Sequence, residues 1–296
     1  MTVGGRPHTL AMVALLAGAA AIGTSALFVK VSEVGPVSSA FWRVFLALPV
    51  LWLWASLDSR RNPRMETRSS LRLLVLAGFF FAGDLAVWHW SIVLTSVANA
   101  TLLANCAPIF VTLAAWLLFR RRPSALFLAG LATALAGTAL LLRGDFQHAG
   151  TALIGDALGI VTAMFYAAYQ LTVTRARQAV STARMMAISG VVTAVILLPI
   201  ALVSEERFMP PSVQGWLVLL GLALIAQAAG QSLIAYAMAQ LPATFSSVGL
   251  LLQPVVAGTL AWLLLGEALT ALAIGGGVLV LIGIRIAHAA QTTSST

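Results

Sequence analysis

Long apolar runs follow one another along this chain from near its start to near its end, separated by short polar segments. Each run holds roughly 17 to 25 residues, the length that crosses about 30 Å of hydrocarbon as an α-helix. The runs show no alternation with a period of two, so they predict membrane helices and not the strands of a barrel. Only 9% of the 296 residues are charged, against about 25% in soluble domains. The sequence therefore predicts an all-α integral membrane protein.

Ten such runs are predicted to be transmembrane helices, and they leave no segment long enough for a soluble domain. The first run is longer than the apolar core of a signal peptide, which holds about 7 to 15 residues, so we expect it to be a retained helix. The approximate bounds of the ten predicted spans are 10–29, 37–57, 71–92, 97–119, 125–142, 152–174, 185–203, 213–239, 243–265 and 271–287.

The basic residues indicate how the spans are oriented. With the N-terminus in the cytoplasm, most arginines fall in segments on the inner side, whereas the outer segments hold Lys30, Arg143 and Arg207. Cytoplasmic loops carry an excess of Lys and Arg, so we expect both termini to be cytoplasmic. The net charge of +8 is spread over these loops. We therefore interpret it as orientation charge and expect no nucleic-acid partner.

An internal repeat relates the two halves of the chain. The stretch "APIFVTLAAWLL" contains Pro108, and "QPVVAGTLAWLL" contains Pro254; the two share a proline, an alanine, a tryptophan and two leucines at an offset of 146 residues. Five spans per half is an odd number, so the second half must lie upside down relative to the first. The pattern predicts two inverted five-helix repeats, residues 1–146 and 147–296, a plan typical of secondary transporters.

The repeated prolines indicate where the spans are interrupted. Pro108 has no amide hydrogen for the carbonyl of Ala104, and Pro254 has none for the carbonyl of Leu250. Backbone groups left unsatisfied at membrane depth must be buried in protein or face a wet cavity. Paired interruptions of this kind point to a transport site and make the two prolines candidate bending points for gating. The alternative is a pair of packing kinks that small neighbouring residues absorb.

Polar residues inside the spans are candidates for substrate contact, because such residues are rare in hydrocarbon. In the third span Asp84, Trp88 and Ser91 lie on one helical face, with His89 and Trp90 beside them. A carboxylate at membrane depth must be paired, hydrated or protonated. We expect Asp84 to bind a substrate amine or to carry a proton, and a structural hydrogen-bonding role near the headgroups is the alternative.

The eighth span, which matches the third, offers neutral amides and a phenol. Gln227 and Gln231 are one turn apart, and Tyr236 aligns with Trp90. Amides and aromatic rings suit a zwitterionic or aromatic small molecule better than a bare ion. Further candidates lie beside the two prolines or at the polar end of the sixth span, and some of them are expected to join helices instead. They are Asn99, Thr101, Asn105, Ser246, Ser247, Gln253, Tyr166, Tyr169 and Gln170.

Two other features of the spans receive structural interpretations. Arg43, a few residues into the second span, either extends to the interface or binds a carboxylate, and extension to the interface is favoured. The glycines of the last span are assigned to close helix packing. They are Gly275, Gly276, Gly277 and Gly283.

The sequence gives no support to an enzyme. It holds no GxSxG, HExxH or GxxxxGK[ST] motif, so hydrolysis and ATP-driven pumping lack their usual groups. The single cysteine, Cys106, excludes an intrachain disulfide. The four histidines are scattered, and we expect no metal and no cofactor. A transporter or a passive channel remains.

Several segments resemble a known family over essentially the whole chain. They are "TSALFVK", "FWRVFLALP", "SVANATLLANCAPIFVTLAAWLL" and "LLLQPVVAGTLAWLLLGEALT". They are similar to the drug/metabolite transporter superfamily in its ten-helix EamA-type branch, and within that branch most similar to the bacterial amino-acid exporters of the YddG type. One departure is that Arg121 stands where the second half has Glu267.

The resemblance implies a fold and a function. The fold is a basket of two inverted five-helix halves around a central cavity, lined by spans one, three, four, six, eight and nine. The function is secondary transport by alternating access in the bacterial inner membrane, exporting small neutral or aromatic amino acids from cytoplasm to periplasm. A monomer in the lipid bilayer is expected. The alternatives are an exporter of another metabolite or drug, and a channel-like facilitator.

Overall fold

The computed structural model describes residues 5–61, 68–95, 97–120, 122–142, 152–204, 207–266, 268 and 270–293. Within these ranges the regular secondary structure is entirely helical. Arg121, His148 and Glu267 lie outside the described residues. The helices are α1 (Gly5–Gly23), α2 (Ser25–Lys30), α3 (Pro36–Arg61), α4 (Arg68–Leu94), α5 (Val97–Ala104), α6 (Ala107–Phe119), α7 (Ala125–Leu141), α8 (Ala152–Ala176), α9 (Thr182–Ser204), α10 (Val213–Gly221), a π-helix (Leu222–Gln231), α11 (Ser232–Ala237), α12 (Ala243–Gly249), α13 (Leu252–Leu265) and α14 (Ala271–Thr293).

The helices account for the predicted membrane spans. Nine helical segments in the described ranges are long and apolar enough to cross a membrane, and the remaining predicted span corresponds to α7, a shorter apolar helix. Several spans consist of consecutive pieces, such as α5 with α6 and α12 with α13. The prediction of an all-α integral membrane protein with about ten spans is confirmed.

Two compact units make up the fold. Unit 1 comprises Met1–Ala86 with Ala168–Leu241, and unit 2 comprises Val87–Ala167 with Pro242–Thr296. Each unit thus draws on both halves of the sequence. The predicted boundary between residues 146 and 147 separates two copies of an internal repeat, whereas the two units are separated by their contacts in space. That boundary stays a prediction.

In unit 1 the helices α3 and α9 pack along one another. Each contains an internal proline, Pro49 and Pro199, and each nevertheless remains one continuous helix. Thr193 of α9 donates a hydrogen bond from its hydroxyl to the carbonyl of Gly78 on α4, at 3.0 Å. Helix α1 approaches the π-helix closely, since a Cβ added at Gly18 would lie 2.8 Å from the carbonyl oxygen of Gly230. Unit 1 is therefore held by close helix packing with a few buried hydrogen bonds.

In unit 2 the helices α7 and α14 meet through glycines. A Cβ added at Gly276 would lie 2.6 Å from the carbonyl oxygen of Gly137, and one added at Gly283 would collide with the backbone of Ala134. Such approaches are typical of membrane helix pairs that have small residues at the interface. The packing assignment was wrong for Gly275, because a Cβ there would meet no atom of the described residues within 4 Å.

Candidate functional site

The two spans that carry the repeated prolines, Pro108 and Pro254, are broken in the structure. Asn105 and Cys106 separate α5 from α6, and 250–251 separate α12 from α13. Pro108 is the second residue of α6, and Pro254 is the third residue of α13. These are positions near a helix start, where the missing amide hydrogen of proline removes no intrahelical bond. The two prolines therefore begin new helical segments.

The carbonyl of Leu250 is hydrogen-bonded, so the expectation that Pro254 leaves it unsatisfied was wrong. It accepts a hydrogen bond from the amide of Gln253 at 3.0 Å. The chain tightens into an i to i+3 bond at the break, a common way to satisfy carbonyls at a helix end. The break in this span therefore carries its own backbone compensation.

Polar side chains at the breaks also form local bonds. The amide nitrogen of Asn105 donates to the carbonyl of Thr101 at 2.8 Å. In the second broken span, Ser247 donates to the carbonyl of Thr244 at 2.7 Å, and Gln253 donates to the phenol oxygen of Tyr166 at 3.5 Å. Asn105 and Ser247 thus stabilise the ends of their own helices, whereas the longer Gln253 contact links α13 to α8.

Unit 1 brings polar and aromatic side chains from four elements into one group, which we call the Arg43 cluster. Helices α3, α4 and α8 and the π-helix each contribute at least one member. Four of the six members are candidates from the third, sixth and eighth spans. The members are Arg43, Phe81, Asp84, Tyr169, Gln227 and Gln231.

Arg43 is buried, with 8% of its surface exposed. Its Nε donates to the Oε1 of Gln227 at 3.0 Å, and its guanidinium carbon lies 5.9 Å from the centre of the Phe81 ring. The favoured prediction that this side chain extends to the interface was wrong. An amide acceptor and an aromatic face replace water around the guanidinium, an arrangement that suits arginine because its planar cation hydrogen-bonds and stacks at once.

An aromatic pair forms the second part of the cluster. The rings of Phe81 and Tyr169 stack with their centres 4.9 Å apart. The hydroxyl of Tyr169 accepts a hydrogen bond from the Nε2 of Gln231 at 2.9 Å. Tyr169 and Gln231 are both buried, so this bond satisfies two polar groups that would be costly to leave alone. The pair offers a rigid apolar surface with a polar edge.

Asp84 supplies an ionisable carboxyl group to the cluster. It follows Phe81 by three residues on α4, so the two side chains lie on one face of the helix. Asp84 is partly buried and interacts electrostatically with Arg43. Because a charge left uncompensated in a low-dielectric interior is very costly, each charge supports the presence of the other. The cluster therefore holds a cation and a carboxylate at membrane depth.

The two glutamines lie in a π-helix of ten residues. π-Helical turns are rare and frequently occur at functional sites. Gln227 and Gln231 are each 1% exposed, and their side chains reach Arg43 and Tyr169 respectively. The wider turn thus presents both amides to the cluster. Nothing in the apolar pattern of the eighth span predicts this backbone form.

Unit 2 holds a second carboxylate, Asp156, which the sequence analysis missed. Its Oδ1 accepts hydrogen bonds from the hydroxyl of Thr95 at 2.9 Å and from the amide of Asn99 at 2.7 Å. Beside it, Ser91 donates to the carbonyl of Gly155 at 2.7 Å. These bonds join the start of α8 to the end of α4, to Thr95 and to the start of α5. We call this group of bonds the Asp156 clamp. A charged residue inside the sixth apolar run was the signal that could have found it.

Several other candidates belong to unit 2. Among them are Trp88, Trp90, Ser91 and Asn99. Trp90 is 47% exposed, and its predicted contact with substrate stays a prediction. His89 lies in α4, and its side chain is outside what the structure describes.

Tyr236 is a further candidate from the eighth span. Tyr236, in unit 1, is half-buried on α11. In the part of the chain that the structure describes, no group of three or more His, Cys, Asp or Glu side chains is placed to hold a metal ion.

A long apolar helical chain with a charged and aromatic cluster inside its spans defines the class of multi-pass membrane transporters. The chain belongs to the EamA-like transporter family, whose model matches residues 9–143 and again residues 153–288. The family places it in the drug/metabolite transporter superfamily.

Three similar proteins are also described as transporters. Two uncharacterized transporters of Archaeoglobus fulgidus are 25% identical over 90% of this chain and 93% of their own, and 28% identical over 93% and 94%. An uncharacterized transporter of Bacillus subtilis, YdfC, is 24% identical over 84% of this chain and 80% of its own. Among solved structures, a crystal structure that is 19% identical in sequence is similar with a TM-score of 0.78, covering 96% of this chain and 98% of that one. That structural likeness supports the fold alone.

Proposed function

We propose that this transporter is a secondary exporter of small neutral or aromatic amino acids, moving them from cytoplasm to periplasm by alternating access. The observation that carries the proposal is the Arg43 cluster, which combines a cation, a carboxylate and a stacked aromatic pair within the spans. A free amino acid carries the complementary set, namely a carboxylate, an ammonium group and a side chain.

In this proposal the two charged residues bind the two ends of the zwitterion. The Arg43 guanidinium pairs with the substrate carboxylate, for which its planar fork is well suited. Asp84 pairs with the substrate ammonium. Arg43 and Asp84 already interact with each other. When a zwitterion binds, each of the two residues exchanges this interaction for one with the oppositely charged end of the substrate, so no charge within the membrane is left without a partner.

The aromatic pair and the amides would act on the substrate side chain and on the geometry of the site. Phe81 and Tyr169 offer stacking to an aromatic ring, worth about 0.5–1.5 kcal/mol beyond area burial. Gln227 and Gln231 hold Arg43 and Tyr169 in place. This division of roles favours substrates with neutral side chains, since a further charge on the substrate would find no compensating partner in the proposed set.

The arrangement in the membrane is part of the same proposal. It comprises two inverted repeats, residues 1–146 and 147–296, around a central cavity, with both termini in the cytoplasm of a bacterial cell and the protein as a monomer in its inner membrane. The two separate family matches and the bias of arginines toward one side support it. Substituted-cysteine labelling of the two termini from outside intact cells tests the orientation, and reaction at either terminus would contradict it.

Uptake into proteoliposomes tests the transport function. Liposomes that contain the purified protein are given labelled phenylalanine or threonine, beside empty liposomes and liposomes preloaded with unlabelled substrate. We expect saturable uptake that the internal substrate accelerates, because a carrier exchanges and a pore does not. Uptake without saturation or exchange would indicate a channel-like facilitator. No uptake above empty liposomes would redirect the search to another metabolite or drug.

A further inference from the structure

Gln170, on α8 directly after Tyr169, is a buried amide whose role the proposed function does not yet explain. Its side chain is 1% exposed, and neither its Nε2 nor its Oε1 has a hydrogen-bond partner among the residues that the structure describes. Leaving such groups unsatisfied costs much more than making a hydrogen bond gains. Buried side-chain amides that lack a partner are rare in folded proteins and call for an explanation.

Gln170 differs from the other buried polar groups without partners. Most of those are serine or threonine hydroxyls on helices, such as Ser38 and Thr112. A helical hydroxyl can rotate to donate to the carbonyl four residues earlier, as several in this chain do. A glutamine amide needs both an acceptor and a donor, and the carbonyls of its own helix can supply only the acceptor. Gln170 therefore requires something beyond its own helix.

Gln170 lies in the part of α8 that belongs to unit 1, one residue after a member of the Arg43 cluster. Its neighbour Tyr169 belongs to the Arg43 cluster and is bonded to Gln231. Farther along, Arg177 donates from its Nε to the carbonyl of Ala235 at 3.2 Å, so residues before and after this stretch are both bonded to the eighth span. Gln170 thus lies in the buried stretch of α8 between two contacts with that span.

We propose that Gln170 is a specificity-determining residue that binds the polar side chain of the substrate. This assignment rests on the proposed function. The ligand that satisfies both amide atoms offers a donor and an acceptor on one small group, which describes the hydroxyl of threonine or serine and the carboxamide of asparagine. The transporter then prefers an uncharged polar side chain over an apolar one of the same shape.

Isosteric pairs of amino acids test this preference in the wild-type protein. Threonine and valine have nearly the same shape, as do asparagine and leucine. Initial rates of uptake into proteoliposomes at low concentration are compared for each pair, with phenylalanine as the common reference. We expect the polar member to be carried about tenfold better, because a site built for hydrogen bonding rejects the analogue that lacks the group. Equal rates within each pair would overturn the assignment.

The variant Gln170→Met then tests whether the amide is the cause. Methionine fills a similar volume without polar atoms, and Gln178→Met, on an exposed glutamine just beyond α8, is the matched control. We expect Gln170→Met to abolish the preference within each pair while phenylalanine uptake persists, and to raise the melting temperature of the empty protein, since an unsatisfied buried amide is removed. The control should change neither property.

The outcomes separate the two proposals. If Gln170→Met melts at a lower temperature and slows all substrates equally, the amide is a structural group and the assignment is overturned. If the wild-type protein carries phenylalanine but the variant keeps the wild-type preference, only the assignment of Gln170 fails. If the wild-type protein carries no amino acid at all, the proposed function fails and the assignment fails with it.

Discussion

The two units surround their membrane carboxylates differently. In unit 1, Asp84 interacts with a buried cation, Arg43, which is itself held by Gln227 and the Phe81 ring. In unit 2, Asp156 accepts hydrogen bonds from two neutral groups, on Thr95 and Asn99. A carboxylate paired with a cation can exchange that partner for a charged ligand, whereas one bound by neutral donors acts as a local tie between helices.

The backbones of the two units also differ, in whether a proline interrupts the helix. Unit 1 keeps α3 and α9 continuous through Pro49 and Pro199, while both proline-bearing spans of unit 2 are broken. Close glycine contacts occur in both units, between α1 and the π-helix in unit 1 and between α7 and α14 in unit 2. We therefore propose that unit 1 recognises the substrate and that unit 2 provides the framework and the helix bending. Substitutions in unit 1 should change affinity, and those in unit 2 should change stability or rate.

The largest effect is expected from Arg43→Leu. Removing the cation takes away the charge that interacts with Asp84 and the donor that is bonded to Gln227, so the melting temperature should fall and uptake of amino acids should be lost. Thermal unfolding in detergent and proteoliposome uptake measure the two effects. The double variant Arg43→Leu with Asp84→Asn serves as the control, because it should recover much of the stability and none of the transport. Normal uptake by either variant would refute the role of Arg43.

Glycine substitutions in α14 should affect stability without changing affinity. In Gly283→Ala the new Cβ collides with the backbone of Ala134, so the helices must separate at a cost of about 1–3 kcal/mol. Gly275→Ala is the matched control, since its Cβ would meet nothing within 4 Å among the described residues. Melting temperatures test the difference. Equal melting of the two variants would show that the close contact of α7 and α14 contributes little.

The prolines at the breaks should affect the rate of transport. Pro108→Ala and Pro254→Ala restore an amide donor at each break and favour a straighter helix. We expect the maximal uptake rate to fall roughly tenfold, equivalent to about 1.4 kcal/mol, with the Michaelis constant unchanged. Pro49→Ala, in a helix that is already continuous, should have a smaller effect. If both break variants transport at the normal rate, the prolines only pack.

The smallest effect concerns the ends of the two broken spans. Arg120 directly follows α6 and Gly266 directly follows α13, at matched positions of the repeat. Both residues have left-handed backbone angles (φ 53° and 69°). Glycine adopts this conformation without steric cost and arginine does not. Arg120→Gly should therefore stabilise the protein by about 0.5–1 kcal/mol, and Gly266→Ala should destabilise it. A lower melting temperature for Arg120→Gly, or a higher one for Gly266→Ala, would contradict this prediction.

The sequence was sufficient to predict the spans and much of the Arg43 cluster. Apolar runs of membrane length locate the helices, and rare polar groups within them indicated Asp84, Tyr169, Gln227 and Gln231. Arg43 was misplaced, because a long cationic side chain near a span end can reach the interface as easily as the interior. Only the contacts with Gln227 and Phe81, which come from other helices, decide between the two.

Other parts of the structure depend on tertiary contacts that no local pattern encodes. The π-helix at residues 222–231 has the same apolar character as an ordinary span. The role of Asp156 requires Thr95 and Asn99, which are about 60 residues away in the chain. The glycines of α14 look alike in sequence, and only the approach of α7 distinguishes Gly276 and Gly283 from Gly275.

Equilibrium binding of labelled phenylalanine to the purified protein tests the central claim most directly. The wild-type protein is compared with Asp84→Asn and with Asp156→Asn, after melting profiles have shown that all three are folded. We predict that Asp84→Asn weakens binding at least tenfold while Asp156→Asn binds within about twofold of the wild type, since a tenfold change corresponds to about 1.4 kcal/mol of lost charge pairing. Unchanged binding by Asp84→Asn, or an equal loss in both variants, would contradict the assignment of recognition to unit 1.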